Sequence, residues 1–172
     1  MRSQFGKEGA NDMMAWAQEN AKNTTFAMND VIESINMLKA FGLDPTQILP
    51  TFEDTAAAQG WDPANAKELM RQLGQMWSKG RMQMEEVGSF QERGVNPIQI
   101  LADATGKSVK ELNDAMGKGQ LGKDSILLFI SELKRLNGGA SADAMKGING
   151  ALSNLGDTSR LARGYVARYL PP

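Results

Sequence analysis

The sequence predicts an all-α fold: roughly eight to ten short helices in a compact orthogonal packing, with no substantial sheet. Apolar residues recur at helical intervals nearly throughout, as in Val31, Ile32, Ile35, Leu38 and Phe41, or Leu69, Met70, Leu73, Met76 and Trp77. That spacing lines one face of a helix. No segment alternates with the period of two that a half-buried strand requires. Between these stretches, Asx-proline pairs and glycines supply the chemistry of helix starts and stops.

The first helix is read over 12–22 and the second over 30–41, with Gly42 as its stop. Asp44-Pro45 opens the third, 45–58. The aspartate accepts an otherwise unpaired backbone N–H, and proline at the first helical position forfeits no helical bond. Pro50 removes a donor inside that segment, so a short turn and then a kink are expected there. Asp62-Pro63 opens the fourth helix, 63–79, the fifth covers 84–93, and Asn96-Pro97 opens the sixth, 97–105. Ser108 with Glu111 three residues on makes a capping box for the seventh, 109–117. Asp124 or Ser125 starts the eighth, 125–137, and helices over 142–155 and near 158–169 complete the series. Gly42, Gly60, Gly80, Gly94, Gly106, Gly119 and Gly138 fall where helices should end. Uninterrupted helices longer than about 17 residues do not fit this punctuation, so a globule is expected and a rod is not.

One joint is written twice, as GLDPTQIL from Gly42 and GVNPIQIL from Gly94. In both, glycine ends a helix, Leu43 or Val95 covers the joint, Asp44 or Asn96 caps the next helix, and proline opens it. The Ile48-Leu49 and Ile100-Leu101 pairs then face inward. Every shared feature has a structural cause, and the sequences diverge directly afterwards, so this is a reused joint and no solenoid repeat.

The bulk composition excludes much chemistry. The chain has 172 residues, 19 Lys plus Arg against 20 Asp plus Glu, no cysteine and no histidine. Disulfides, thiolate nucleophiles and Cys/His zinc sites are therefore absent from its repertoire. The charge balance gives no general reason to expect nucleic acid or an anionic membrane as partner. No apolar run has the length of a signal peptide or a membrane span, which leads us to expect a soluble chain that is cytoplasmic where it is made.

The local motifs are weaker than they look. Gly117-Lys118-Gly119-Gln120-Leu121-Gly122 satisfies G-x-G-x-x-G but follows a helical segment, whereas a dinucleotide site needs a preceding strand. Gly106-Lys107-Ser108 lacks the first glycine of a phosphate loop, since Leu101 stands in its place. Glu85 and Glu86 are neighbours whose side chains diverge by about 100°, as are Glu53 and Asp54, so neither pair can flank one bond. A solvated face is the expected role for these acids. Asn23-Thr24-Thr25 matches a glycosylation acceptor that stays idle without secretion. Met70, Met76, Met82 and Met84 are read as core filling. In the tail, Leu161, Tyr165 and Tyr169 form a stripe for packing, beside Arg160, Arg163 and Arg168. Pro171-Pro172 reads as the start of an extended linker, and the chain as an excerpt of something longer.

Between about Thr25 and Leu133 the order of segments resembles a domain found toward the N-terminal side of tape measure proteins of long-tailed phages and prophages. The resemblance rests on TTFAMNDVIESINMLKAFGLDPTQILPTFEDTAAAQG, on LMRQLGQMWSKGRMQMEEVGSFQERGVNPIQILADATGKSVKELNDAMGKGQL, and on DSILLFISEL. Within these, the AFG helix end, the ILPTF turn, LGQ-x-x-x-KGR-x-x-x-EE and ERGV-x-x-x-x-x-LA occur in order. Trp77 departs from the small or polar residue more usual there, and the stretch from Asn137 onward has no match in this reading.

The resemblance implies a role in virion morphogenesis. Such proteins are extended scaffolds around which tail-tube subunits polymerise, tail length following the length of the whole protein. It further implies tail-tube, tail-assembly chaperone or tail-terminator proteins as partners, with the host cytoplasm as the place of assembly and the virion tail as the final location. Fully helical, this chain would span only about 260 Å, and with its joints it is expected to be a globular module, with no cofactor, no metal and no catalytic residues. Residues 1–137 are read as the helical domain and 138–172 as a helical extension. Lys79, Arg81, Glu85 and Glu86 in the best-matched segment, with Arg160 and Arg163 of the tail, are the candidate partner contacts. A peptidoglycan-hydrolase module and a general helical adaptor are the competing classes.

Overall fold

A computed structural model describes the backbone of residues 2–153 and side chains from Glu8 onward. Eight helices follow in order: α1 (Arg2–Lys22), α2 (Met28–Ala40), α3 (Pro45–Gln59), α4 (Pro63–Lys79), α5 (Met84–Gln91), α6 (Pro97–Thr105), α7 (Val109–Gly117) and α8 (Lys123–Asn137). A further helical stretch, α9, covers 140–153. The fold is all-α and compact, and the one extended pairing among the described residues is an isolated antiparallel bridge between Arg81 and Gly122. The expected helix near 158–169, the tyrosine stripe, Arg160 and Arg163 lie outside the described residues.

The Asx-proline joints form as their chemistry dictates. Asp44 accepts the amide of Thr46 at 3.0 Å and its hydroxyl at 2.8 Å, Asp62 accepts the amide of Asn65 at 2.7 Å, and Asn96 accepts that of Gln99 at 3.1 Å. Ser108 and Glu111 complete a reciprocal capping box, at 3.1 and 2.8 Å, which holds the Glu111 carboxyl below its ordinary value through the Ser108 amide and hydroxyl.

Three helices differ from the sequence reading. α1 is 21 residues long and begins at Arg2, beyond both the expected start and the expected length limit. Gly6 and Gly9 remain helical within it; an interior glycine costs only about 1 kcal/mol and needs no break. α3 runs on through Pro50 as one helix. Proline there forfeits a single bond, while burial of Ile48, Leu49, Phe52 and Ala56 holds the segment in place. α8 starts at Lys123 behind Gly122, with no side-chain cap, because the bridge to Arg81 fixes the backbone of Gly122. At the other end of α8 the positive φ falls on Gly139, at 89°. Gly138 keeps a φ of −53° and still donates its amide to the Lys134 carbonyl.

α3 lies at the centre, packed against α2, α4 and α8. Phe90 of α5 sits edge-on to Phe52 of α3 (6.1 Å, 62°) and to Phe129 of α8 (5.2 Å, 88°), joining three distant parts of the chain. Each such buried side chain contributes roughly 1.5–3 kcal/mol. α2 and α4 approach closely because position 74 is glycine: a Cβ there would stand 2.2 Å from the Phe41 ring. Met70, Met76 and Met82 fill the core as expected, whereas Met84 is 62% exposed.

Candidate functional site

The segment from Lys79 to Glu86 forms the joint between α4 and α5. Gly80 ends α4 with φ 71°, and its amide turns back to the Met76 and Trp77 carbonyls. Arg81 donates its amide to the Met76 carbonyl at 3.1 Å, and Met82 donates to the Leu121 carbonyl at 2.8 Å. The loop before α5 is thus stitched to the loop before α8. The Arg81 side chain lies over Gly119, where an added Cβ would stand 3.2 Å from its guanidinium. Lys123 places its ammonium 4.4 Å from the centre of the Trp77 ring.

Glu85 and Glu86 diverge as helical neighbours must, one outward and one inward. Glu85 is exposed, but Glu86 is fully buried and takes an ion pair from Lys79. The expectation that both occupy a solvated face is therefore corrected for Glu86. Its carboxyl lies within the joint, with the acid at the positive end of α5 as the helix dipole favours, and offers no surface to a partner. Lys79 and Arg81 are exposed.

A second interior acid belies the same expectation. Glu53 on α3 is 2% exposed. It accepts the Asn20 side-chain amide of α1 at 2.6 Å and the Thr24 hydroxyl at 3.4 Å, while its other oxygen has no partner. Burial pushes the carboxyl up to about 8; the two hydrogen bonds oppose this, and the charge of Asp54 adds to it. Asp54 is half-buried and accepts the backbone amides of Gly139 (3.0 Å) and Ser141 (2.9 Å) at the start of α9. Thr55 accepts the Asn137 side-chain amide at 3.2 Å. Three successive residues of α3 therefore hold α1, α9 and the end of α8. A signal for Glu53 exists in the sequence: with Leu49, Phe52 and Ala56 it completes an apolar helical stripe.

Between α2 and α4 a groove of about 560 Å³ is lined by Glu33, Met37, Phe41, Lys67 and Arg71, among others. Its charges are engaged with one another. Lys67 reaches Glu33 at 2.7 Å and Asp30 at 2.9 Å, which raises its pKa, and Arg71 reaches Glu68 at 3.0 Å. No group of three or more acidic side chains gathers as a metal would require among the described residues. No described helix is long and apolar enough to cross a membrane.

These features define a helical module braced from inside by an ion pair, a hydrogen-bonded acid and side-chain caps. The family profile of the tape measure protein matches residues 4–166, well beyond the segment in which the resemblance can be read by motif. A probable tape measure protein of Escherichia phage Mu is 36% identical over 152 residues, covering 87% of this chain and 22% of its own length. The Mu-like prophage FluMu protein gp42 of Haemophilus influenzae is 32% identical over 162 residues, covering 92% and 25%. A probable tape measure protein of Salmonella phage Felix O1 is 36% identical over 78 residues, 45% of this chain and 10% of its own. The chain belongs to the tape measure protein family, and it spans about a quarter or less of the curated relatives it matches. No solved structure matches it.

Proposed function

We propose that this chain is a globular module of a phage or prophage tail tape measure protein, taking part in tail assembly and tail-length determination through protein–protein contacts. The observation that carries the reading is the family match over residues 4–166 on a chain folded into short packed helices. The longest described helix, 21 residues, reaches only about 32 Å. The module therefore acts as a fitting on a longer scaffold, and other segments supply the measured length. It works in the host cytoplasm during assembly and in the virion tail afterwards, without cofactor or catalytic role.

Tail-tube, tail-assembly chaperone and tail-terminator proteins are the proposed partners, and the exposed residues Lys79, Arg81 and Glu85 are the proposed contacts within the described part. Arg160 and Arg163 extend that proposal into the tail. A pull-down with tail-assembly proteins of the same phage is expected to retain at least one of them, and retention of none would sink the reading. Purified cell wall should keep its turbidity in the presence of the module, while clearing would favour a hydrolase.

A further inference from the structure

The Glu53 carboxyl stands at a contact between elements far apart in sequence, and both of its hydrogen-bond partners among the described residues are neutral. Asn20 comes from the last turn of α1 and Thr24 from the turn that follows. The second carboxyl oxygen is buried and meets no donor. A neutral acid tolerates this environment, since one oxygen accepts the amide and the other carries the proton. An ionised acid leaves a charged oxygen in the interior without a partner, which is strongly unfavourable.

The charged groups of the surrounding elements offer no relief. On α1, Glu19 and Lys22 pair at the surface, 3.6 Å apart. Asp30 and Glu33 of α2 hold Lys67 of α4, and Glu68 of α4 holds Arg71. Glu132 and Arg135 of α8 pair at 2.8 Å, Asp143 and Lys146 of α9 pair at 3.3 Å, and Lys134 lines a groove beside Gln47 and Thr51. Asp54, adjacent in sequence, is the one charge acting on Glu53 among the described residues, and it opposes ionisation.

We propose that Glu53 is a proton-operated latch: the end of α1 seats on α3 with uptake of a proton by the Glu53 carboxyl, and lifts from it with release of that proton. Seating is a local event. α1 packs along α2 with Ala17 in the core and Met13 and Trp16 set against it, and its last turn reaches α3 through Asn20, so the lifting is confined to that last turn while the ring-packed centre of α3, α5 and α8 stays closed.

The linkage fixes the pH response. Lifted, Glu53 titrates near the ordinary 4.5; seated, it titrates near 8. Between those values the lifted state has lost a proton that the seated state keeps, so each pH unit favours lifting about tenfold. Above about 8 the effect levels off.

Amide hydrogen exchange on the 172-residue chain, corrected for the intrinsic pH dependence of exchange, tests this. In wild type, the opening constant of amides in residues 18–22 should rise about tenfold per unit from pH 5 to 8 and then flatten. In Glu53→Gln, which keeps the shape and cannot ionise, it should be flat. The same α1 amides should open more readily than those of α4 at every pH. Asn20→Ala, which keeps the acid and removes its donor, should open α1 several-fold more throughout while preserving the slope. A wild-type slope shared by Glu53→Gln would overturn the latch. Equal opening constants for α1 and α4, or no effect of Asn20→Ala, would also overturn it.

Discussion

Among the described residues two glutamates have almost no exposed surface, one at the α4–α5 joint and one where the end of α1 meets α3. Glu86 is reached by a lysine seven residues away, from the preceding helix of the same joint. Glu53 is reached by an amide 33 residues away, and no cation among the described residues accompanies it. An acid inside a fold is governed by what the neighbouring elements deliver to it. A tight local joint can deliver a charge along with the turn that makes it. Elements brought together from a distance deliver whatever their own faces carry, and α1 carries Asn20.

The largest expected effect bears on the acid without a cation. Its folded pKa is raised, so its stabilisation is complete below about pH 4.5 and lost as pH rises through about 8. Wild type should therefore lose on the order of 3–5 kcal/mol relative to Glu53→Gln across that window. Urea unfolding of both proteins at pH 5, 6.5 and 8 checks it, and parallel curves would erase the distinction between the two glutamates. The next effect strips the other acid of its cation. Lys79→Met leaves Glu86 buried and unpaired and should cost about 2–3 kcal/mol, less than the loss of a fully buried pair because the lysine side chain is 41% exposed. Adding Glu86→Gln should recover much of this, as a double-mutant cycle of unfolding free energies would reveal.

A smaller change sharpens the comparison from the side of Asp54. Asp54→Asn removes the charge that helps hold Glu53 neutral and weakens the cap on α9, so the Glu53 titration should move downward and about 0.5–1 kcal/mol of stability should be lost. Carboxyl NMR shifts followed against pH report the first and denaturation the second. Smallest is the expected effect of Arg81→Ser or Glu85→Gln on unfolding, within about 0.5 kcal/mol, since both side chains are exposed at the same joint. Retention in the pull-down is the measurement on which these two should register.

What was legible in the sequence follows the range of the forces involved. Asp44, Asp62, Asn96 and Ser108 could be assigned because a cap acts on amides two or three residues ahead. For Glu53 the stripe with Leu49, Phe52 and Ala56 marks an inward face but not its partners Asn20 and Thr24, and the burial of Glu86 could not be read because it depends on a loop pinned by Leu121 and Gly122. Glycine was informative only where the following residues required a turn; Gly6 and Gly9 lie in a helix that continues past them, and at 138–139 the second of two glycines took the bend. In the Lys79–Glu86 segment the two ends form the ion pair of the joint, and Lys79, Arg81 and Glu85 are its exposed charged residues.

The ring contact of Phe52, Phe90 and Phe129 has a consequence for biosynthesis. Phe129 leaves the ribosome last of the three, and until it arrives one flank of Phe90 faces water. A chain that ends short of α8 therefore leaves this aromatic seat half filled, and the three-way ring packing is complete only once that helix is made.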